Sequence, residues 1–295
     1  MPTNPFLKKL GFSDSDRLVI VHTDDVGMCQ ASLTAFAHLW EFGTISSGAV
    51  MVPCPWFPAV AKMCLENPQM DMGVHATLNA EWTNYRWGPI STRQSESGLL
   101  DSDGYFHQWQ PAVYEKANPE AVAVEVQAQV ERALAAGVDV THVDSHMGTV
   151  LHPKFIQSYI QAALSHGIPP MLPRMDAKGL EGRLSEEEKT AYAPVLEYLE
   201  SQGVPLLDGM YGMPLSAEGD HLEIAKKLLG EAPVGISHFI LHPSVDTPEL
   251  RAIAPDWEAR VANYNAFMSQ DLKDFIKNSG IHLIGYRTLR EAMKN

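Results

Sequence analysis

Two adjacent carboxylates, Asp24 and Asp25, close a run of apolar, β-favouring residues (Leu18, Val19, Ile20, Val21), and Gly27 follows shortly after. Burying two like charges side by side costs desolvation and repulsion unless a cation or a proton intervenes. The ordinary alternative is a solvated turn in which an Asp caps the next helix. Other polar residues decide between the two. His75 ends a third predicted strand, His142, Asp144 and His146 span the end of a fourth, Arg174 ends a fifth and His242 follows a seventh. With a side-chain period of two, His142, Asp144 and His146 share one face and Val143 points away. One carboxylate and two imidazoles (Asp25, His75 and His146) match the ligand number and type of a catalytic metal that keeps open positions. Such an ion lowers the pKa of bound water and polarises a carbonyl. Asp24 is then placed to take the proton from that water, and His242 to return one to a leaving group. His22, His142 and His238 read as satisfied core histidines, and His38, His107, His166 and His221 as surface or loop residues.

These side chains need elements to hold them. Strands are expected at about 18–23, 44–52, 72–77, 140–145, 169–174, 204–207, 235–241 and 282–285, with helices between them. Among the helices, 30–41 stops at Gly43, 119–136 is amphipathic, 185–201 opens on a capping-box pattern of Ser185 and Glu188, and 256–277 is one long helix. Such alternation implies a parallel sheet. Eight units in 295 residues imply an α/β fold, a TIM-like (β/α) barrel of regular or distorted form, in a single domain spanning 1–295. A doubly wound open sheet is the runner-up, without a glycine fingerprint for a nucleotide to support it. From 79 to about 118 the regularity fails, and Trp82, Tyr85, Trp87, Trp109 and Tyr114 sit among glycines and prolines. An aromatic-rich insertion of that length is expected to line or cover the site by stacking on sugar rings, or to be pinned down as a satellite cluster.

The formal charge of −14 argues against nucleic acid and anionic membrane surfaces as partners. Cys29, Cys54 and Cys64 are odd in number and form no CxxC pair, so neither a disulfide framework nor a thiolate zinc site is expected. Without an apolar leader or a spanning run, a cytoplasmic location is the expectation. Oligomeric state is left open, and a homodimer is compatible with the chain.

Four segments carry a resemblance: Thr23-Asp24-Asp25-Val26-Gly27, Gly73-Val74-His75-Ala76-Thr77-Leu78, Thr141-His142-Val143-Asp144-Ser145-His146 and Leu241-His242-Pro243. In order and spacing, from about Leu18 to Leu289, they resemble the YdjC/ChbG-type carbohydrate deacetylases, relatives of the NodB-like polysaccharide deacetylases. The resemblance implies that Asp25, His75 and His146 bind one divalent metal ion, with Asp24 as general base, His242 as general acid and Arg174 near the base. It also implies a barrel-like (β/α) enzyme, a hydrolase of linear C–N amides that removes acetyl groups from N-acetylated amino sugars or small oligosaccharides. The metal is left open among zinc, magnesium, manganese, cobalt and nickel. The family commonly continues the third motif as His-His-His-x-His, whereas Met147, Gly148, Thr149 and Val150 stand here; the side chains beside the substrate are therefore changed. Two rival readings are a metal hydrolase of another amide or ester and a non-catalytic sugar-binding barrel.

Overall fold

Strand β1 (Arg17–Val26) is buried along nearly its whole length and is paired along both edges. The structure is a computed structural model that describes residues 3–181 and 185–294, without the side chains of Glu186 and Glu188. The capping box expected from Ser185 and Glu188 therefore lies outside the described residues. A short helix α1 (Pro5–Lys9) precedes β1, and α2 (Gln30–Phe42), β2 (Ser47–Val50), α3 (Phe57–Glu66) and β3 (Met72–Ala76) follow it. After the irregular segment come α4 (Gln110–Lys116), α5 (Pro119–Ala135), β4 (Val140–Ser145), α6 (Ile156–Leu164), β5 (Pro173–Lys178) and α7 (Glu186–Ser201). The chain continues through β6 (Leu207–Gly212), α8 (His221–Gly230), β7 (Gly235–Leu241), α9 (Pro248–Ile253), α10 (Trp257–Phe267), α11 (Gln270–Asn278), β8 (Ile281–Leu283) and α12 (Tyr286–Lys294).

All strand pairs are parallel, and the order is β4-β3-β2-β1-β7-β6-β5. The eighth strand does not take a place of its own in that row. It pairs with Arg17–Val19 of β1, on the edge that β2 occupies further along at His22–Val26. The two ends of the sheet meet at a single bridge, Val143 to Pro170, with Val143 donating to the Pro169 carbonyl and accepting from Met171. The sheet is thus curled, consistent with a distorted TIM-like barrel.

Several expected boundaries move. Pro169 and Pro170 have no N–H for a ladder, so that dipeptide bridges β4 instead, and contact with β6 starts where Leu172 accepts from the Leu207 amide and Pro173 pairs with Leu207. The expected strand at 204–207 lies at 207–212. The single helix expected over 256–277 is two, because Ser269 is extended and starts α11 afresh. Helix α2 does stop at Gly43, whose φ of 84° suits a left-handed C-terminal cap. Asn118 opens α5 by accepting from the Glu120 amide, which fixes where the irregular segment ends.

Alternation along β1 explains how one strand serves both core and site. Val19 and Val21 pack outward with Phe36 and Leu39 of α2. Leu18 and Ile20 belong to an inner cluster with Ile236, with Phe6 and Leu7 from α1, and with Tyr286 and Leu289 from α12. Each such side chain contributes roughly 1.5–3 kcal/mol by leaving water. The next residues of the same inward row are His22 and Asp24. On β7, Ile236 is followed at the same spacing by His238, Ile240 and His242. The inward rows of β1 and β7 are therefore apolar at their N-terminal ends, carry histidines midway and end in Asp24 and His242.

Candidate active site

The backbone of β1 changes character at the acid pair. Thr23 pairs with Gly48 and Val26 with Val50, so β1 has one residue more than its partner between those points, a bulge. Asp25 sits in it at φ 60°, a left-handed conformation that costs a residue with a side chain of order 1 kcal/mol. The bulge separates the two carboxylates: Asp24 meets His22 and His242, whereas Asp25 meets His146 and Arg260.

Asp25, His75 and His146 come together as expected, each buried, with one ligand-type atom apiece within 4.8 Å of the others. Asp25 Oδ1 is buried without a hydrogen bond from any described residue, 3.2 Å from His146 Nδ1 and 3.5 Å from His75 Nε2. The remaining nitrogen of each imidazole is engaged elsewhere: His75 Nδ1 with Asp144 at 2.7 Å, and His146 Nε2 with Glu81 at 2.9 Å. A carboxylate behind each histidine fixes its tautomer and ring orientation, as in carboxylate–histidine–metal arrangements. The donor set therefore fits a divalent cation at Asp25 Oδ1, His75 Nε2 and His146 Nδ1.

Asp25 Oδ2 accepts from Arg260 Nη1 at 2.7 Å, while Arg260 Nε donates to Asp256 at 2.9 Å and its guanidinium lies 5.3 Å from the centre of the Trp82 ring. Burial raises the Asp25 carboxyl, but Arg260 first, and then His146 and His75, hold it well below the usual carboxylate range. Burial opposes protonation of His146; Glu81 and Asp25 prevail and bring it to about 9.

Asp24 is the junction with the remaining histidines. Its Oδ1 lies 2.8 Å from His22 Nδ1, and its Oδ2 lies 3.6 Å from His242 Nε2 and 3.8 Å from His75 Nε2. Burial pushes it up, and His75, His22 and His242 more than reverse this, so it is ionised below its ordinary value. Burial lowers His242 despite Asp24 and Asp25 nearby, leaving it neutral near pH 7. The His242 Nδ1 atom has no partner among the described residues. Beneath Asp24, His22 Nε2 meets His142 Nε2 at 2.8 Å, and His238 bonds the Tyr286 hydroxyl at 2.8 Å. His142 and His238 are core residues as expected, and burial holds His142 well below its normal value and His238 at about 3. His22 is buried too, yet it also contacts Asp24 directly. His38 and His166 are exposed, whereas His107 and His221 are buried, bonding the Gly98 and Ser216 carbonyls.

Arg174 does not reach this site. Because β5 starts at Pro173, Arg174 lies at the beginning of that strand rather than its end. Its Nε pairs with Glu200 at 2.9 Å and its Nη1 with Asp208 at 3.1 Å; Asp208 in turn accepts from Asn4 and the Ile236 amide. The guanidinium near the acid pair is Arg260. Nothing in the four motifs pointed to it, and the signal was only an Asp256–Arg260 spacing of four, which reads as a surface pair on a helix. Glu81 was hidden in the irregular segment.

A cavity of about 740 Å³ opens over Asp24, Asp25, His146 and His242, within the size range of small-molecule sites. The aromatic insertion divides between its two expected roles. Trp82 and Trp109 line the cavity. Tyr85 and Trp87 instead pin the segment down, through the Met28 and Asn79 carbonyls, in a cluster with Trp82. Among the described residues no helix is long and apolar enough to cross a membrane.

A parallel α/β sheet whose C-terminal strand ends carry an acid pair, ligand-type histidines and a further histidine, all at one cavity, is the build of a hydrolytic enzyme. Its sequence matches the family of YdjC-like proteins over residues 18–278, and the chain belongs to that family. It is 31% identical over 296 residues to a carbohydrate deacetylase of Thermus thermophilus, covering 97% of this chain and 98% of that one. A carbohydrate deacetylase of Thermoanaerobacter pseudethanolicus is 23% identical over 93% of this chain and all of its own length. In fold it is similar to a crystal structure from Enterococcus faecalis described as a putative cellobiose-phosphate cleavage protein. The TM-score is 0.76 at 22% identity, with 93% of this chain and 99% of that chain covered.

Proposed function

We propose that the chain is a carbohydrate deacetylase that hydrolyses the acetamide of an N-acetylated amino sugar, using one divalent metal ion, in a single distorted-barrel domain. The observation that carries this reading is Asp25 Oδ1, buried without a hydrogen bond from a described residue and faced by one nitrogen of His75 and one of His146. The YdjC-like family and its carbohydrate deacetylase relatives support the same reaction class. Asp25, His75 and His146 would hold the ion, which when bound supplies Lewis acidity toward water and a carbonyl.

The chain's own groups account for the protons. Asp24, kept ionised, accepts one from the water that attacks the acetyl carbonyl carbon. As the C–N bond breaks, the departing nitrogen needs a proton. His242 Nε2, 3.6 Å from Asp24 Oδ2, can receive the one that Asp24 has taken and pass it on. A neutral His242 suits this shuttle, because it starts with a free site for the proton. Arg260 stays out of the proton path; it holds Asp25 in place from the side away from the histidines.

Acetate release from N-acetylated mono- and disaccharides, with several divalent metals supplied, tests the reading. Metal-dependent release should be lost in Asp25→Ala, and His242→Gln should lower kcat by about 10²-fold or more. Acetate release that survives both metal removal and Asp25→Ala would refute the metal-based mechanism. Hydrolysis of simple esters or other amides without any acetylated sugar being cleaved would favour the rival hydrolase.

A further inference from the structure

With 36 acids to 22 lysines and arginines, an arginine of this chain rarely lacks a carboxylate. Arg86 pairs with Asp101, Arg251 with Asp246, Arg260 with Asp25 and Asp256, and Arg287 and Arg290 with Asp139. Arg93 and Arg132 depart from this pattern. Arg132 of α5 makes no hydrogen bond or ion pair with any described residue, and its guanidinium lies 5.6 Å from the centre of the Phe57 ring. Arg93 donates through Nη1 to the Pro89 and Thr92 carbonyls, and its Nε and Nη2 have no partner among the described residues. Both arginines line one cavity of about 350 Å³, to which no described carboxylate contributes. It shares no lining residue with the cavity over the acid pair. Two like charges facing one cavity repel each other, in a chain that has carboxylates in excess to neutralise them.

We propose that this cavity is a second ligand site, which takes the phosphate group of a small molecule between Arg93 of the irregular segment and Arg132 of α5. A guanidinium presents a planar fork of donors that matches phosphate oxygens, and a dianion supplies the two negative charges that the pair lacks. Phe57 orients Arg132 by cation–π attraction and leaves its N–H donors uncommitted. The frame is stiff, because Pro53, Pro55 and Pro58 line it from the turn after β2 into the first turn of α3, and proline fixes φ. A volume of that order suits a small phosphate ester as well as the free anion. The bound phosphate would tie together the turn after β2, segment 88–93 and α5. The same irregular segment carries Glu81 behind His146 and Trp82 in the cavity over the acid pair. The ligand would therefore brace a wall of that cavity without entering it.

Calorimetric titration of the full, metal-loaded chain with inorganic phosphate, and separately with a hexose 6-phosphate, tests the site at an ionic strength held constant with chloride. Saturable binding is expected for at least one of them. Arg93→Gln and Arg132→Gln should each weaken it by about ten-fold, the order expected for one charged hydrogen-bonding partner, and the double variant should abolish it. Arg132→Lys keeps the charge without the fork and should bind more tightly than Arg132→Gln. Both side chains are exposed, so the variants should keep the parent's near-UV circular dichroism and Tm in phosphate-free buffer. Binding is read as the part that the double variant loses. Equal affinity for the two compounds would identify the anion alone as the ligand, and tighter binding of the ester would add contacts from its carrier; either result supports the site. Phosphate held by the metal instead would be lost in Asp25→Ala and kept in the double arginine variant, and that result overturns the proposal. Absence of binding by both compounds overturns it too.

Discussion

At the scale of single residues, the contact that most shapes Asp24 comes from below rather than from the cavity. An ionised Asp24 can only accept, so the 2.8 Å contact puts the proton on His22 Nδ1. His22 Nε2 meets His142 Nε2 at 2.8 Å, and His142 Nδ1 lies 3.0 Å from the hydroxyl of Thr141, which donates to Asp71. Asp24 thus heads a buried chain of contacts that runs through His22 to His142. His22 is a positioning residue: it aims Asp24 without touching substrate. Replacing it by Leu removes a charge-assisted hydrogen bond, for which about 1.5–3 kcal/mol is typical, and kcat should fall about ten-fold or more with KM little changed. His22→Asn keeps an amide N–H near the position of Nδ1 and should restore most of the rate. Unchanged kcat in His22→Leu, in protein with native near-UV circular dichroism, would show that Asp24 needs no such support.

At the scale of elements, close approach between strands holds this histidine layer. Gly73 of β3 faces His142 of β4 so closely that a Cβ there would overlap the imidazole ring. The ring has nowhere to go, since it stacks on Tyr286 with centroids 3.9 Å apart and bonds His22. Gly73→Ala is therefore expected to destabilise by ~1–3 kcal/mol through overpacking, and, by tilting His142, to slow catalysis as well. Thermal unfolding beside kcat measures both, and a variant with the wild-type Tm would mean that β3 and β4 can part without cost. The same elements show what the sequence could disclose. β1 was legible because four β-favouring residues in a row suit a buried strand, while its acid pair alone also allowed a helix-capping turn. His75, His146 and His242 were legible because each follows such a run. Arg174 was misplaced because the run before it contains Pro169 and Pro170, and apolar pattern alone cannot say whether a backbone has amides to offer a ladder. Arg260 and Glu81 stayed hidden because their role depends on where α10 and the irregular segment fold back over β1, information that no local period holds.

For the whole molecule, the alternation of strands and helices made a curled parallel sheet legible, but not that β8 would share an edge of β1 with β2 before the chain enters α12. That helix is tied across the N-terminal ends of β3 and β4 by charge. Arg287 and Arg290 both pair with Asp139, Arg290 also donates to the Val140 carbonyl at 2.7 Å, and Arg287 donates to the Met70 carbonyl at 2.8 Å. Arg290 first, and then Arg287, outweigh burial and hold Asp139 at about 2. A carboxyl depressed on folding stabilises the native state above its unfolded value, ~3.8, and loses that contribution as pH falls through the folded one. Asp139 has a half-exposed side chain, and solvent screening reduces its contribution to no more than ~1 kcal/mol. Asp139→Asn should therefore lower the urea midpoint at pH 6, and the difference from the parent should shrink between about pH 4 and pH 2. A gap that persists undiminished at pH 2 would mean that the strap acts through shape and backbone contacts, with charge incidental. A gap that closes with acid would identify this pair of arginines as the electrostatic clasp by which the last helix closes the apolar end of the sheet, opposite the acids at its other mouth.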